Sequence, residues 1–121
     1  LIPEVITAGV KAMIENPQMG FYLVVELDNG IQASLMVTTE WSDWRNANLW
    51  WLQSVYVWPE ARRQGIFSTL LDVVTTAAQA HQVPELRLYA ETHNQLAHTA
   101  YARHGFCTGH YGVHTKVLAS P

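Results

Sequence analysis

The sequence predicts a mixed α/β (α+β) domain: a central sheet of antiparallel and parallel strands flanked by helices. Three observations predict it. Two apolar runs meet at Asp28-Asn29-Gly30, a tight hairpin turn in which asparagine and glycine tolerate positive φ. A run ending Val55-Tyr56-Val57, β-branched and aromatic, leads through a cationic glycine loop into a helix. Another strand follows that helix, and a strand–helix–strand crossover makes the pair parallel.

Residues 2–16 read as a helix, with Ile6, Val10, Met13 and Ile14 as an apolar stripe. Pro3 and Glu4 suit its first turn, and Asn16-Pro17 ends it. Residues 21–27 and 31–39 are the hairpin strands. Residues 40–48 are polar apart from Trp41 and Trp44 and read as a loop with aromatic anchors. Residues 49–57 form a third antiparallel strand, which Pro59 ends because proline removes a ladder donor.

After Gly65 a helix opens. Ile66, Leu70, Val73, Val74, Ala77 and Ala78 take its buried face, and Ser68, Thr69, Asp72, Thr75, Thr76 and Gln79 the other. Pro84 closes it, and residues 86–90 alternate as a strand. Asn94 is a helix cap. Leu96, Ala97, Ala100 and Tyr101 share one face of that helix, and Gly105 ends it in the left-handed conformation. Residues 106–108 and 111–118 read as the last two strands. No repeat or low-complexity linker is visible.

A chain of 121 residues points to one domain spanning residues 1–121, long enough for a sizeable core. With 49% apolar and 14% charged residues it suits a soluble globular protein. A formal net charge of -3 argues against a nucleic-acid binder. Cys107 is the sole cysteine, so no internal disulfide can form, and a buried thiol in a reducing cytoplasm is the plain reading. Neither a membrane span nor a signal peptide is visible. Leu1 is not a start methionine, so the natural chain is expected to begin earlier.

The loop before the second helix carries the first chemical signal. First-turn amides of a helix lack internal partners, and the dipole adds positive potential there. Gly65 would let a phosphate approach the backbone, and Arg62 and Arg63 could add charge-assisted hydrogen bonds. Taken alone, the loop reads equally well as a solvated turn. No Gly-Lys-Ser/Thr follows, and the dinucleotide fingerprint Gly-x-Gly-x-x-Gly is absent.

These residues resemble the GCN5-related N-acetyltransferase (GNAT) superfamily. Its coenzyme A loop reads Gln/Arg-x-x-Gly-x-Gly/Ala after a strand of the Val-x-Val-x-Pro type. Here Val55-Tyr56-Val57-Trp58-Pro59 leads into Arg62-Arg63-Gln64-Gly65-Ile66-Phe67. The departure is Phe67, where the family usually has Gly or Ala; it leaves the Gly65 turn intact and crowds the loop. A second signal, Asn94-x-x-Ala97-x-x-x-Tyr101-x-x-x-Gly105-Phe106, resembles the family's fourth-helix motif. The family normally has a strand and a helix before residue 2. Their absence is expected to reflect a truncated chain, disordered residues, or a partner's strand in their place.

The resemblance implies a function and a site. The function is transfer of an acetyl group from acetyl coenzyme A to a primary amine by direct attack in a ternary complex. Two neighbouring parallel strands, residues 49–57 and 86–90, would splay to admit the pantetheine arm. The backbone of Val55 and Val57 would pair with pantetheine. Arg62, Arg63, Gln64, Gly65, Ile66, Phe67 and Ser68 would hold the pyrophosphate, and Asn94 would hydrogen-bond the pantetheine side. Tyr101 would be the general acid; by spacing alone it reads as a core aromatic.

The general base is not legible: Glu40, Asp43, Glu91 or a water chain would serve, and Gln53 cannot. The rival readings are an acyl coenzyme A sensor without turnover and an interaction domain that binds no cofactor. The six histidines read as structural or surface residues and no metal is expected. Trp41, Trp44, Trp50, Trp51 and Trp58 read as core and loop anchors. Alternatively, residues 40–51 line an acceptor pocket or a homodimer surface.

Overall fold

The structure, a computed structural model, describes residues 1–119; the last two residues of the expected domain lie outside them. Its elements are α1 (Pro3–Glu15), β1 (Gly20–Leu27), β2 (Gly30–Ser42), β3 (Ala47–Val57), a 3-10 turn (Pro59–Ala61), α2 (Ile66–Ala80), β4 (Leu86–Leu88) and α3 (Gln95–Arg103). The strands form one sheet in the order β1-β2-β3-β4. β1–β2 and β2–β3 are antiparallel and β3–β4 is parallel, so the expected mixed architecture is the observed one. Residues up to Tyr89 form one compact unit, and those from Ala90 onward form another.

In the first unit α2 packs across β1, β2 and β3. Trp50 meets His81, the C-cap of α2, and so marks the sheet face that α2 covers. By register Val37 lies beside Leu52 on that face, and Leu35 and Ala33 alternate with it. All of these, with Leu70, Leu71 and Val74 of α2, are buried. The buried face of α2 differs from the expected stripe: Leu71 is 1% exposed and Val73 is 47% exposed. A helix lying over three strands buries a wider arc than a single stripe, and here that arc rotates toward Leu71. Helix α2 also stops at Ala80, with Gln82 at φ 58°, so Pro84 follows the stop rather than making it.

Helix α1 forms where expected, but of its stripe only Met13 is buried. Ile6, Val10 and Ile14 are exposed, because α1 packs chiefly on β1. The hairpin strands are longer than predicted. Glu40, Trp41 and Ser42 belong to β2 and pair with Leu49, Asn48 and Ala47. Cross-strand pairing therefore outweighs their polar composition, and the expected loop shrinks to a short turn. By contrast, β4 stops at Leu88 instead of residue 90.

Residues 106–108 and 111–118 are not strands. Tyr111, Val113, Val117 and Leu118 are exposed, and their alternation meets no neighbouring strand. Cys107 is also exposed, against the expected buried thiol.

Candidate functional site

The site begins where β3 outruns β4. The parallel ladder holds Trp50, Trp51 and Leu52 against Leu86, Arg87 and Leu88, and goes no further, while β3 continues to Val57. The parallel pairing thus ends before β3 does, because β4 stops at Leu88. Within the same stretch β3 carries a bulge. Ser54 and Val55 together oppose Leu35, and Ser54 has φ 52°. One extra residue reverses the side-chain phase. Trp51 and Gln53 face away from α2 before the bulge, and Tyr56 does so after it, opposite Ser34.

Beyond Val57 the chain turns back on itself. Trp58 donates its backbone N–H to Gln32 O, and Pro59–Ala61 make one tight turn. Arg62 Nε donates to Val57 O, and its guanidinium lies 5.7 Å from the centre of the Tyr56 ring. Gln64 Nε2 donates to Glu60 O. Arg63 at φ 66° and Gly65 at φ 76° wind the loop into the first turn of α2. Gly65 is the N-cap; among the described residues no side-chain hydrogen bond caps the start of the helix, and its first turn holds no acidic residue. A Cβ placed on Gly65 would meet nothing within 4 Å among the described residues. Two exposed arginines beside an uncapped 15-residue helix suit an anionic ligand such as a pyrophosphate.

The loop thus brings together Val55, Val57, Arg62, Arg63, Gln64, Gly65, Ile66, Phe67 and Ser68 over one turn of chain. Ile66 is buried and anchors α2; it can offer only its backbone. Asn94 and Tyr101 belong to the second unit, on α3. Asn94 caps α3 as expected, its Oδ1 accepting the Ala97 N–H at 3.1 Å. Gly105 at φ 88° ends the helix. Gly105 N–H bonds to Ala102 O and Phe106 N–H to Tyr101 O, the paired bonds of a Schellman motif. The Tyr101 and Phe106 rings meet edge to face at 5.7 Å. Burial pushes the Tyr101 phenol above its ordinary value, which keeps it protonated at neutral pH.

Two of the base candidates are engaged. Glu40 accepts the Trp51 indole N–H and a guanidinium N–H of Arg87. Glu91 accepts the His93 backbone N–H. Gln53 donates to the Thr38 hydroxyl at 2.6 Å. Among the described residues no three of His, Cys, Asp and Glu gather as a metal site would need. No helix among them is long and apolar enough to cross a membrane.

Sequence reasoning missed the Ser54 bulge. The slip shows only in the folded strand, where Trp50 and Leu52 are buried and then Val55 and Val57 half-buried; in the sequence, residues 49–52 are all apolar and hide it. It also missed the partners of Glu40, which come from other strands and leave no local mark.

The mixed sheet and the cationic loop at the start of α2 are the arrangement that the sequence resemblance implies for an acyltransferase. The profile of the acetyltransferase (GNAT) family matches residues 3–106, and the chain belongs to that family. No curated protein matches the chain. Among solved structures it is similar to a possible acetyltransferase from Clostridium difficile 630. That match has 35% identity and a TM-score of 0.92, covering 99% of this chain and 80% of that one. Two more distant likenesses show the fold alone. One is the aminoglycoside 6'-N-acetyltransferase AAC(6')-Ih from Acinetobacter baumannii: 21% identity, TM-score 0.76, 97% and 82% covered. The other is a ribosomal-protein-alanine N-acetyltransferase from Brucella melitensis: 15% identity, TM-score 0.73, 84% and 73% covered.

Proposed function

We propose that this chain, as one catalytic domain over residues 1–121, transfers the acetyl group of acetyl coenzyme A to a primary amine of a small molecule or protein. The amine attacks directly in a ternary complex. One observation carries the reading: β3 leaves its parallel partner at Leu52 and runs straight into a cationic, uncapped helix start. The backbone of Val55 and Val57 pairs with pantetheine, and residues 62–68 hold the pyrophosphate. Asn94 offers its side chain to pantetheine in addition to capping α3. The cosubstrate supplies an activated acetyl group as a thioester.

Tyr101 donates a proton to the departing sulfur. A phenol is protonated at neutral pH with or without the upward shift that burial gives it, so it is available as a donor. The named fold relatives act on amines, aminoglycosides or a ribosomal protein's alanine, which supports an amine acceptor here. A cytoplasmic location belongs to the same reading. So does a homodimer, supported by the exposed Trp41 and Trp44 of the β2–β3 turn region.

Calorimetric titration with acetyl coenzyme A tests the reading, followed by coenzyme A release with a panel of amines. Micromolar binding with amine-dependent release is expected. Binding without release from any amine would leave an acyl coenzyme A sensor, and no binding would remove the cofactor site.

A further inference from the structure

On the sheet face away from α2, side chains from β2, β3 and β4 form one network. Glu40 Oε1 accepts the Trp51 indole N–H at 2.6 Å. Arg87 Nη1 reaches the same carboxylate, at 3.4 Å from Oε1 and 3.5 Å from Oε2. Arg87 Nε also donates to Glu85, which raises the guanidinium pKa further, and Glu85 in turn pairs with Arg45 at 3.2 Å. The Trp51 ring stacks on Tyr89, 4.6 Å between centres and 28° between planes. The Arg87 guanidinium lies 5.9 Å from the centre of the Trp51 ring.

The placement of this network matters more than its size. Trp51 and Arg87 are register partners one step before the last ladder pair, Leu52 and Leu88, and Tyr89 is the first residue past β4. The aromatic stack therefore stands at the point where the parallel pairing of the two strands ends. Tyr89 remains 60% exposed, so the stack offers an open ring to solvent. Trp51 and Arg87 both donate to Glu40, which makes this carboxylate a holder of other groups.

We propose that Glu40 is a positioning residue for the acceptor. By binding the indole N–H it fixes the Trp51–Tyr89 stack as the wall along which the amine reaches the opening between β3 and β4. Arg87 braces the same carboxylate from β4. This inference rests on the acetyltransferase reading above and adds the acceptor's side of the site to it.

The test uses Glu40→Ala, Glu40→Gln and Trp51→Phe, with acetyl coenzyme A binding by calorimetry. Steady-state rates are measured with phenethylamine, spermidine and an aminoglycoside, continuing with the amine that reacts fastest. Loss of a charge-assisted hydrogen bond should raise the amine KM about fivefold or more in Glu40→Ala, with a smaller change in kcat and an unchanged acetyl coenzyme A Kd. Glu40→Gln keeps an oxygen for the indole and should recover most of the loss. Trp51→Phe keeps a ring to stack and loses the N–H, so it should resemble Glu40→Ala, and the double variant should be no worse than either. If Glu40→Ala fails to fold, Trp51→Phe carries the test.

An unchanged amine KM in Glu40→Ala or Trp51→Phe would overturn the inference. So would a parallel rise in the acetyl coenzyme A Kd, or a Gln variant as impaired as the Ala variant. A wild-type chain that binds no acetyl coenzyme A would instead overturn the underlying reading. One that binds it and acetylates no amine would overturn both.

Discussion

Arg62 Nε donates to the Val57 carbonyl oxygen at 3.0 Å, tying the cationic loop to the end of the strand that precedes it. Arg62 therefore has a structural partner as well as a charge, whereas Arg63 sits on a residue with φ 66° and exposes its side chain. Replacing either with alanine should weaken acetyl coenzyme A binding about tenfold, the scale of one charge-assisted hydrogen bond. Only Arg62→Ala should also lower the melting temperature. For Arg63→Ala the deficit should shrink as salt is raised, because an exposed cation is screened. Calorimetry at two ionic strengths checks both, and unchanged affinity in the two variants would remove this loop as the binding site.

Tyr101→Phe should lower kcat about a hundredfold, the lower end of what a positioned general acid contributes, while sparing cofactor affinity. The same variant has a signature in stability. Burial raises the Tyr101 phenol, so the folded chain keeps a proton that the unfolded chain loses near pH 10. There the native state binds more protons, and stability falls as pH rises. Below about pH 10 the wild type should show none of this loss, and it should lose stability progressively as pH rises toward the folded value. Melting curves at pH 8 and pH 11 should show Tyr101→Phe gaining on the wild type at the higher pH only.

Two glycines should respond very differently to alanine. A Cβ on Gly105 meets nothing within 4 Å, so Gly105→Ala costs only the left-handed backbone, about 1–2 kcal/mol. A Cβ on Gly20 would lie 1.9 Å from the Val37 carbonyl oxygen, inside the β1–β2 pairing. Gly20→Ala should cost about 3 kcal/mol or more, since the strands must separate to admit it. Urea denaturation distinguishes the two.

Leu71→Ala should destabilise by about 2–5 kcal/mol, as expected for truncating a leucine in a packed core. Val73→Ala should change stability by less than about 0.5 kcal/mol, since Val73 is largely at the surface. Equal effects at the two positions would contradict the observed rotation of α2.

That rotation shows where sequence reading ends. Residues whose chemistry is local were legible: the turn at Asp28-Asn29-Gly30, the Asn94 cap, the stop at Gly105-Phe106, and the arginine–glycine loop. The α2 stripe was legible only approximately, because how far a helix turns about its axis depends on the three strands beneath it. Glu40 looked like loop because nothing in its neighbours announces that it pairs with Leu49. Its tie to Arg87, 47 residues away, is purely a product of the fold. Residues 111–118 alternate as a strand would, but alternation does not supply the neighbour a strand needs. Of the site, the anion-fitting loop could be read from the chain, whereas the network behind Trp51 could not.

Ser54 works as a parity digit in β3. Upstream of it, odd-numbered residues turn away from α2; downstream, even-numbered ones do. Deleting Ser54 itself would remove the extra residue and leave Tyr56 opposite Ser34 and Val57 opposite Ala33, each on its present face. Deleting Leu52 instead would either draw Gln53 into its place facing α2 or turn Tyr56 and Val57 over. Of the single-residue deletions in this strand, those at the bulge should therefore be tolerated best. Substitutions face no such arithmetic.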